Sequence, residues 1–218
     1  QAIPIPEDVP FDSASLLPCG VLTGWGAVAR TARVPAGASV GVIGVGGVGI
    51  NSVQAASIAG ADPVVAIDLS ASKLAQAEGF GATHTIDPGH TDAAREVRAL
   101  TGGHGLDYVF VTVGNSRAVR QGLDLIRRGG TLVLVGMPAS GDDLALQPGD
   151  IAGDSQTILG SKMGCANVAT DIPELVRLYR DGRFKLDALV SARYPLAEIN
   201  TAISAVKGGD VLRNVVMF

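Results

Sequence analysis

The stretch Gly44-Val-Gly46-Gly47-Val-Gly49 follows the apolar run at residues 40–43 and opens a helical pattern at Val48. Few folds accommodate this order of strand, glycine turn and helix. The first glycine permits the tight turn, the second lets an anionic group approach the backbone, and the last lets helix and strand pack closely. Gly44, Gly46 and Gly49 fill those places, with Gly47 and Val48 inside the turn. A diphosphate then sits at the helix N-terminus, where free N–H groups and the positive end of the helix dipole favour an anion.

Asp68 closes a second apolar run, residues 64–67, about 20 positions after the motif. A carboxylate there accepts hydrogen bonds from both ribose hydroxyls of an adenosine and repels a 2′-phosphate, which points to NAD rather than NADP. Further apolar runs fall at residues 83–86, 108–113, 131–135 and 157–159, and with 40–45 and 64–67 they make six. Helical patterns lie between them at 48–59, 71–78, 92–100 and 117–127. Strands apolar on both faces and alternating with helices predict an α/β fold, a doubly wound six-stranded parallel sheet of Rossmann type.

Flanking segments sit outside that alternation. Residues 1–34 read as a Pro-rich extended start and a helix over 19–32. Residues 171–218 read as a helix over 172–180, a strand over 186–191, a helix over 196–206 and a strand over 213–218. The expected division is therefore residues 1–34, then a nucleotide-binding domain over 35–170, then a C-terminal segment over 171–218.

Composition narrows the function. Glycine supplies 29 of 218 residues, near twice its usual share of about 7%, without a triplet period, so collagen and low-complexity disorder are excluded. The net charge is −4 and no basic run exceeds two residues, which argues against a nucleic-acid partner. Residues 34–61 lack any charge, but seven glycines with Asn51 and Gln54 make a strand–turn–helix rather than a membrane span. Two cysteines, Cys19 and Cys165, form no disulfide framework; without a secretory leader, the expected setting is cytoplasmic. The chain opens at Gln1 with its first methionine at Met137, so it is expected to be part of a longer protein.

Other nucleotide chemistries fit less well. Short-chain reductases need Tyr followed four residues later by Lys, but Tyr108, Tyr179 and Tyr194 are followed by Thr112, Arg183 and Glu198. The Gly-Lys-Ser/Thr of a P-loop is absent. His84, His90 and His104 sit in loop-like surroundings with no partner at metal spacing.

The chain resembles the cofactor-binding portion of zinc-dependent medium-chain alcohol dehydrogenases. The resemblance is carried by Leu17-Pro-Cys-Gly-Val-Leu-Thr-Gly-Trp-Gly26, by the glycine motif, and by Ile67-Asp-Leu-Ser-Ala-Ser-Lys73. It continues through Val111-Thr-Val-Gly-Asn115, Gly129-Gly-Thr-Leu-Val-Leu-Val-Gly136 and Val211-Leu-Arg-Asn-Val-Val-Met-Phe218. It implies hydride transfer between a small alcohol or aldehyde and NAD, with zinc holding the oxygen. Cys19 then matches a catalytic-zinc ligand and Thr23 a residue near the nicotinamide. Gly46, Gly47 and Val48 match the diphosphate turn, while Asp68 and Lys73 match ribose contacts. Val113, Val135 and Met137 match positions beside the nicotinamide and its ribose, and Arg213 matches a diphosphate partner. The resemblance also implies a GroES-like catalytic domain holding the remaining zinc ligands, which this chain does not carry. The chain alone is thus expected to bind NAD without turning over alcohol. A homodimer is implied through the edge strand from Gln156 to Gly164. Two alternatives stay open: a zinc-free quinone or enoyl reductase of the same superfamily, and a non-catalytic dinucleotide-binding redox module.

Overall fold

A computed structural model describes residues 2–218. The chain begins with a short helix, α1 (Phe11–Ala14), and a longer helical run. That run is π-helical over Leu17–Val21, α-helical over Leu22–Gly26 (α2) and π-helical again over Ala27–Ala32. It ends where Arg33 turns into the left-handed region at φ 51°. The helix expected over 19–32 is therefore present but widened at both ends, and Cys19 lies in the first widened turn. Such widened turns often mark functional positions.

The sheet follows: β1 (Val40–Ile43), α3 (Gly49–Ile58), β2 (Val64–Ile67), α4 (Ala71–Gly79), β3 (His84–Ile86), α5 (Ala93–Leu100), β4 (Leu106–Val111), α6 (Ser116–Leu125), β5 (Ile126–Leu134), α7 (Pro148–Gly153) and β6 (Thr157–Gly160). Its strand order is β3-β2-β1-β4-β5-β6, parallel throughout. The order reverses between β1 and β4, the point beside which α/β folds hold ligands. β1 and β2 are buried along their whole length, as apolar runs covered by helices on both faces must be. Asp92, Asn115 and Ser70 cap α5, α6 and α4 by accepting backbone N–H groups, which sets where those helices begin.

Several expected boundaries move, each for a local reason. β4 stops at Val111 rather than 113: the Thr112 N–H still donates to the Ile43 carbonyl at 3.0 Å, but its partner β1 ends at Ile43 and turns away through Gly44. α6 stops at Leu125 rather than 127: Ile126 turns extended to pair with Leu106, and Arg127 reaches the Asp107 carboxylate at 2.6 Å. His84 begins β3 rather than occupying a loop. α7 was not foreseen in the sequence.

After β6 come a short turn (Lys162–Cys165), α8 (Val168–Arg180), β7 (Val190–Pro195), α9 (Ile199–Gly208) and β8 (Arg213–Met217). β7 and β8 pair in parallel as a second sheet. The strand expected over 186–191 is shifted. Leu186 and Leu189, three apart and fully buried, close a 3₁₀ turn instead, and the alternating half-buried strand begins only at Val190. One apolar cluster joins the N-terminal helices and α8 to one face of the sheet, and a second lies beneath α5 and α6. No helix is long and apolar enough to cross a membrane among the described residues.

Candidate functional site

The glycine turn is built as its sequence implies, and each glycine has its own reason. Gly44 holds φ +85° and donates to the Ile67 carbonyl at 2.7 Å, so β1 turns sharply at the end of β2. A Cβ on Gly49 would stand 1.8 Å from the Gly44 carbonyl oxygen, and helix α3 approaches β1 only because none is there. Around a Cβ placed on Gly46, the nearest atom is the Lys73 Nζ at 3.9 Å. That glycine faces open space, as an arriving ligand requires.

Asp68 spans the turn from the neighbouring strand. Its Oδ2 accepts the Val45 N–H at 2.8 Å and its Oδ1 accepts the Ser70 N–H at 3.0 Å. The carboxylate is therefore held at the mouth of the turn by two backbone donors, with lone pairs left for a ligand.

Arg213, at the start of β8, reaches the turn from the second sheet and donates from Nη2 to the Gly47 carbonyl at 2.8 Å. Its guanidinium lies between two glycines: a Cβ on Gly20 would meet Nη2 at 1.8 Å, and one on Gly47 would meet Nε at 2.5 Å. Burial pulls its pKa below the usual guanidinium value, while the nearby Cys19 pushes the other way. Among the described residues no carboxylate lies within 4 Å of it. A half-buried cation without an anion, beside free N–H groups at a helix start, suits a diphosphate.

These groups meet in one cleft of about 240 Å³. It brings together Gly44, Gly46, Gly47, Val48, Asp68, Lys73, Val113 and Arg213, eight of the positions the sequence singled out. The remaining ones lie elsewhere. Gly49 packs beneath the turn. Thr23 is buried, its hydroxyl directed at the Met163 sulfur 3.7 Å away. Met137 is 80% exposed, with Val135 half-buried two residues before it. Cys19 lies exposed in an adjoining groove of about 610 Å³ that Gly20, Arg213 and Phe218 also line.

Sequence reasoning missed the other half of the site. A second cleft of about 470 Å³ shares Gly44, Asp68 and Val113 with the first and is closed by Leu69, Asn115 and Arg117. Leu69 is apolar yet 73% exposed there. Its place directly after Asp68 was the available signal. A largely apolar slot beside the Asp68 carboxylate suits a planar aromatic ring.

Zinc is a different case. Among the described residues no three His, Cys, Asp or Glu side chains gather into a metal site. Cys19 can supply one thiolate, and catalytic zinc takes three protein ligands. The residues present do not make up that site.

A family model described as "Zinc-binding dehydrogenase" matches residues 47–181. The chain belongs to the zinc-binding dehydrogenase family. The S-(hydroxymethyl)glutathione dehydrogenase of Paracoccus denitrificans is 34% identical to it over 219 residues, covering 97% of this chain and 58% of that enzyme. The crystal structure of an alcohol dehydrogenase zinc-binding domain protein from Burkholderia ambifaria superposes with a TM-score of 0.94 at 36% identity. That match covers 98% of this chain and 57% of the other. A structure from Sinorhizobium meliloti 1021, bound to NADP, superposes with a TM-score of 0.89 at 26% identity, covering all of this chain and 63% of its own. This zinc-binding dehydrogenase chain thus spans a little under three fifths of the first two relatives' length.

Proposed function

We propose that this chain is the NAD-binding portion of a zinc-type alcohol dehydrogenase, a protein that moves hydride between a small alcohol or aldehyde and NAD. The observation that carries the reading is the unpaired Arg213 guanidinium facing an open Gly46 across the turn that Asp68 closes. Gly47 and Val48 would bind the diphosphate through their N–H groups, and Arg213 would neutralise it. Asp68 would accept the ribose hydroxyls with Lys73 alongside, while Leu69 and Asn115 would flank the adenine. Val113, Val135 and Met137 would line the path of the nicotinamide, with Thr23 behind it. Bound NAD accepts a hydride at its nicotinamide ring. The part of this chain is to hold that ring in place, and Cys19 would lend one thiolate to a metal completed by residues beyond those described.

NAD rather than NADP rests on the Asp68 charge, although the Sinorhizobium relative holds NADP. We read residues 1–34 and 171–218 as the segments joining the nucleotide-binding domain, residues 35–170, to a catalytic domain. We also read the outer edge of β6, within the stretch from Gln156 to Gly164, as a homodimer contact. The cytoplasm fits this chemistry. A zinc-free reductase of the same superfamily has less support, since Cys19 and Asp68 both argue against it.

Calorimetric titration of the 218-residue chain with NAD and NADP tests the cofactor assignment. NAD is expected to bind at least tenfold more tightly, and equal or inverted affinities would overturn it. Metal analysis and NAD-dependent alcohol oxidation by the full-length protein test the rest: one catalytic zinc and turnover in the full protein, neither in this chain.

A further inference from the structure

Helix α3 buries polar side chains where a helix of its kind would carry aliphatic ones. Asn51 and Gln54 are 0% and 3% exposed. They form a directed chain from the middle of the helix to the glycine turn. The Lys185 N–H donates to Gln54 Oε1 at 2.8 Å, Gln54 Nε2 donates to Asn51 Oδ1 at 3.4 Å, and Asn51 Nδ2 donates to the Gly47 carbonyl at 2.9 Å.

The direction of this chain is not free. A backbone N–H can only donate and a backbone carbonyl can only accept, so the two ends dictate how both amides are turned. Reversing either amide would set like groups against each other where water does not reach to compensate them. Asn51 is therefore locked with its NH₂ on the Gly47 carbonyl.

That carbonyl belongs to the same planar peptide as the Val48 N–H, and in a trans peptide the two point in opposite directions. Fixing one fixes the other. The Val48 and Gly47 N–H groups have no protein acceptor among the described residues, and both residues line the diphosphate cleft. Arg213 also donates to the Gly47 carbonyl. Its charge, with that of Lys73, is what the cleft offers a diphosphate, and once Arg213 turns to that task Asn51 is the side-chain donor left on the carbonyl.

We infer that Asn51, oriented by Gln54 and the Lys185 backbone, is a positioning residue that holds the Gly47–Val48 peptide with its N–H presented to the cofactor diphosphate. The inference rests on the dinucleotide reading above and adds a part of the chain that never touches the cofactor. Ser52, between them on α3, donates to the Gly24 carbonyl at 3.0 Å and ties the helix to α2 instead.

Asn51→Asp keeps the shape of the side chain and replaces the donor by an acceptor facing the Gly47 oxygen. Calorimetry of this chain should show NAD affinity lowered at least tenfold. Affinity for adenosine, which has no phosphate and is followed by NMR titration, should stay within twofold of the parent. If Asn51→Asp does not fold, as judged by circular dichroism, Asn51→Ser carries the same comparison with an expected three- to tenfold loss for NAD. NAD affinity within twofold of the parent in a folded variant, or equal losses for NAD and adenosine, would overturn the role of Asn51. A parent chain that binds no NAD would instead overturn the cofactor assignment on which the inference rests.

Discussion

At the scale of single residues, the glycines of one turn separate stability from binding. Gly49 has a backbone oxygen where its Cβ would go, so Gly49→Ala should cost roughly 3 kcal/mol of folding stability, read by denaturant unfolding. Gly46 has open space and no left-handed φ, so Gly46→Val should leave the midpoint nearly unchanged. The same change should weaken NAD about a hundredfold, close to 2.7 kcal/mol, because the valine occupies the diphosphate's place. Equal stability losses in the two variants would refute that division. Asp68→Gly should shrink the preference for NAD over NADP by about tenfold, since it removes both an acceptor pair and a charge that repels the 2′-phosphate. It should also cost about 1–2 kcal/mol in stability, for it frees the Val45 and Ser70 N–H groups. The motif residues were legible because their neighbours in sequence are also their neighbours in space. Leu69 and Arg117 were not, since one follows β2 and the other lies in the first turn of α6, and only the folded sheet brings them to one cleft.

At the scale of elements, the N-terminal helical run is fastened to α8 by one ion-pair cluster. Arg30 donates to Asp171 at 2.8 Å and to Glu174 at 2.9 Å, and its guanidinium lies 4.7 Å from the centre of the Trp25 ring. Burial alone would raise the Asp171 carboxyl, but Arg30, the Asn167 N–H and the Thr170 hydroxyl outweigh it and hold the pKa below its ordinary value. A carboxylate whose pKa is lower folded than unfolded stabilises the fold above its unfolded value, near 3.9, and loses that contribution as pH falls through the folded value. Unfolding free energy measured from pH 6 downward should therefore drop below about pH 4. Asp171→Asn should lower stability at neutral pH by about 2 kcal/mol and flatten that acid limb. An unchanged limb would remove Asp171 from the account. Elements with clear patterns, such as the unbroken apolar runs of β1 and β2 and the amphipathic α4, were placed within a residue or two from sequence. The shifted strand β7 was not, because Leu186 and Leu189 read equally well as strand or as tight turn until the core beneath them is seen.

For the whole molecule, two features look outward. The edge of β6 carries Ile158 and Leu159 with no strand beyond it among the described residues, and exposed strand edges invite pairing with another chain. Sedimentation of the full-length protein should show a dimer, and a monomer at every concentration would refute the β6 contact. α9 likewise leaves Ile199, Ile203 and Val206 partly uncovered along one face. The sequence by itself determined the α/β class, the order of strands and helices and the glycine turn, because each is written in local pattern: a short unbroken apolar run, an apolar residue every three to four, or a glycine where a Cβ cannot fit. Only the tertiary structure decided that Arg213, 166 positions away in the chain, lies against Gly47, and that Asn51 and Gln54 are turned inward to hold that same peptide. Those contacts depend on how β8 and the segment around Lys185 pack against the sheet, a geometry set by burial of the whole core rather than by any local pattern.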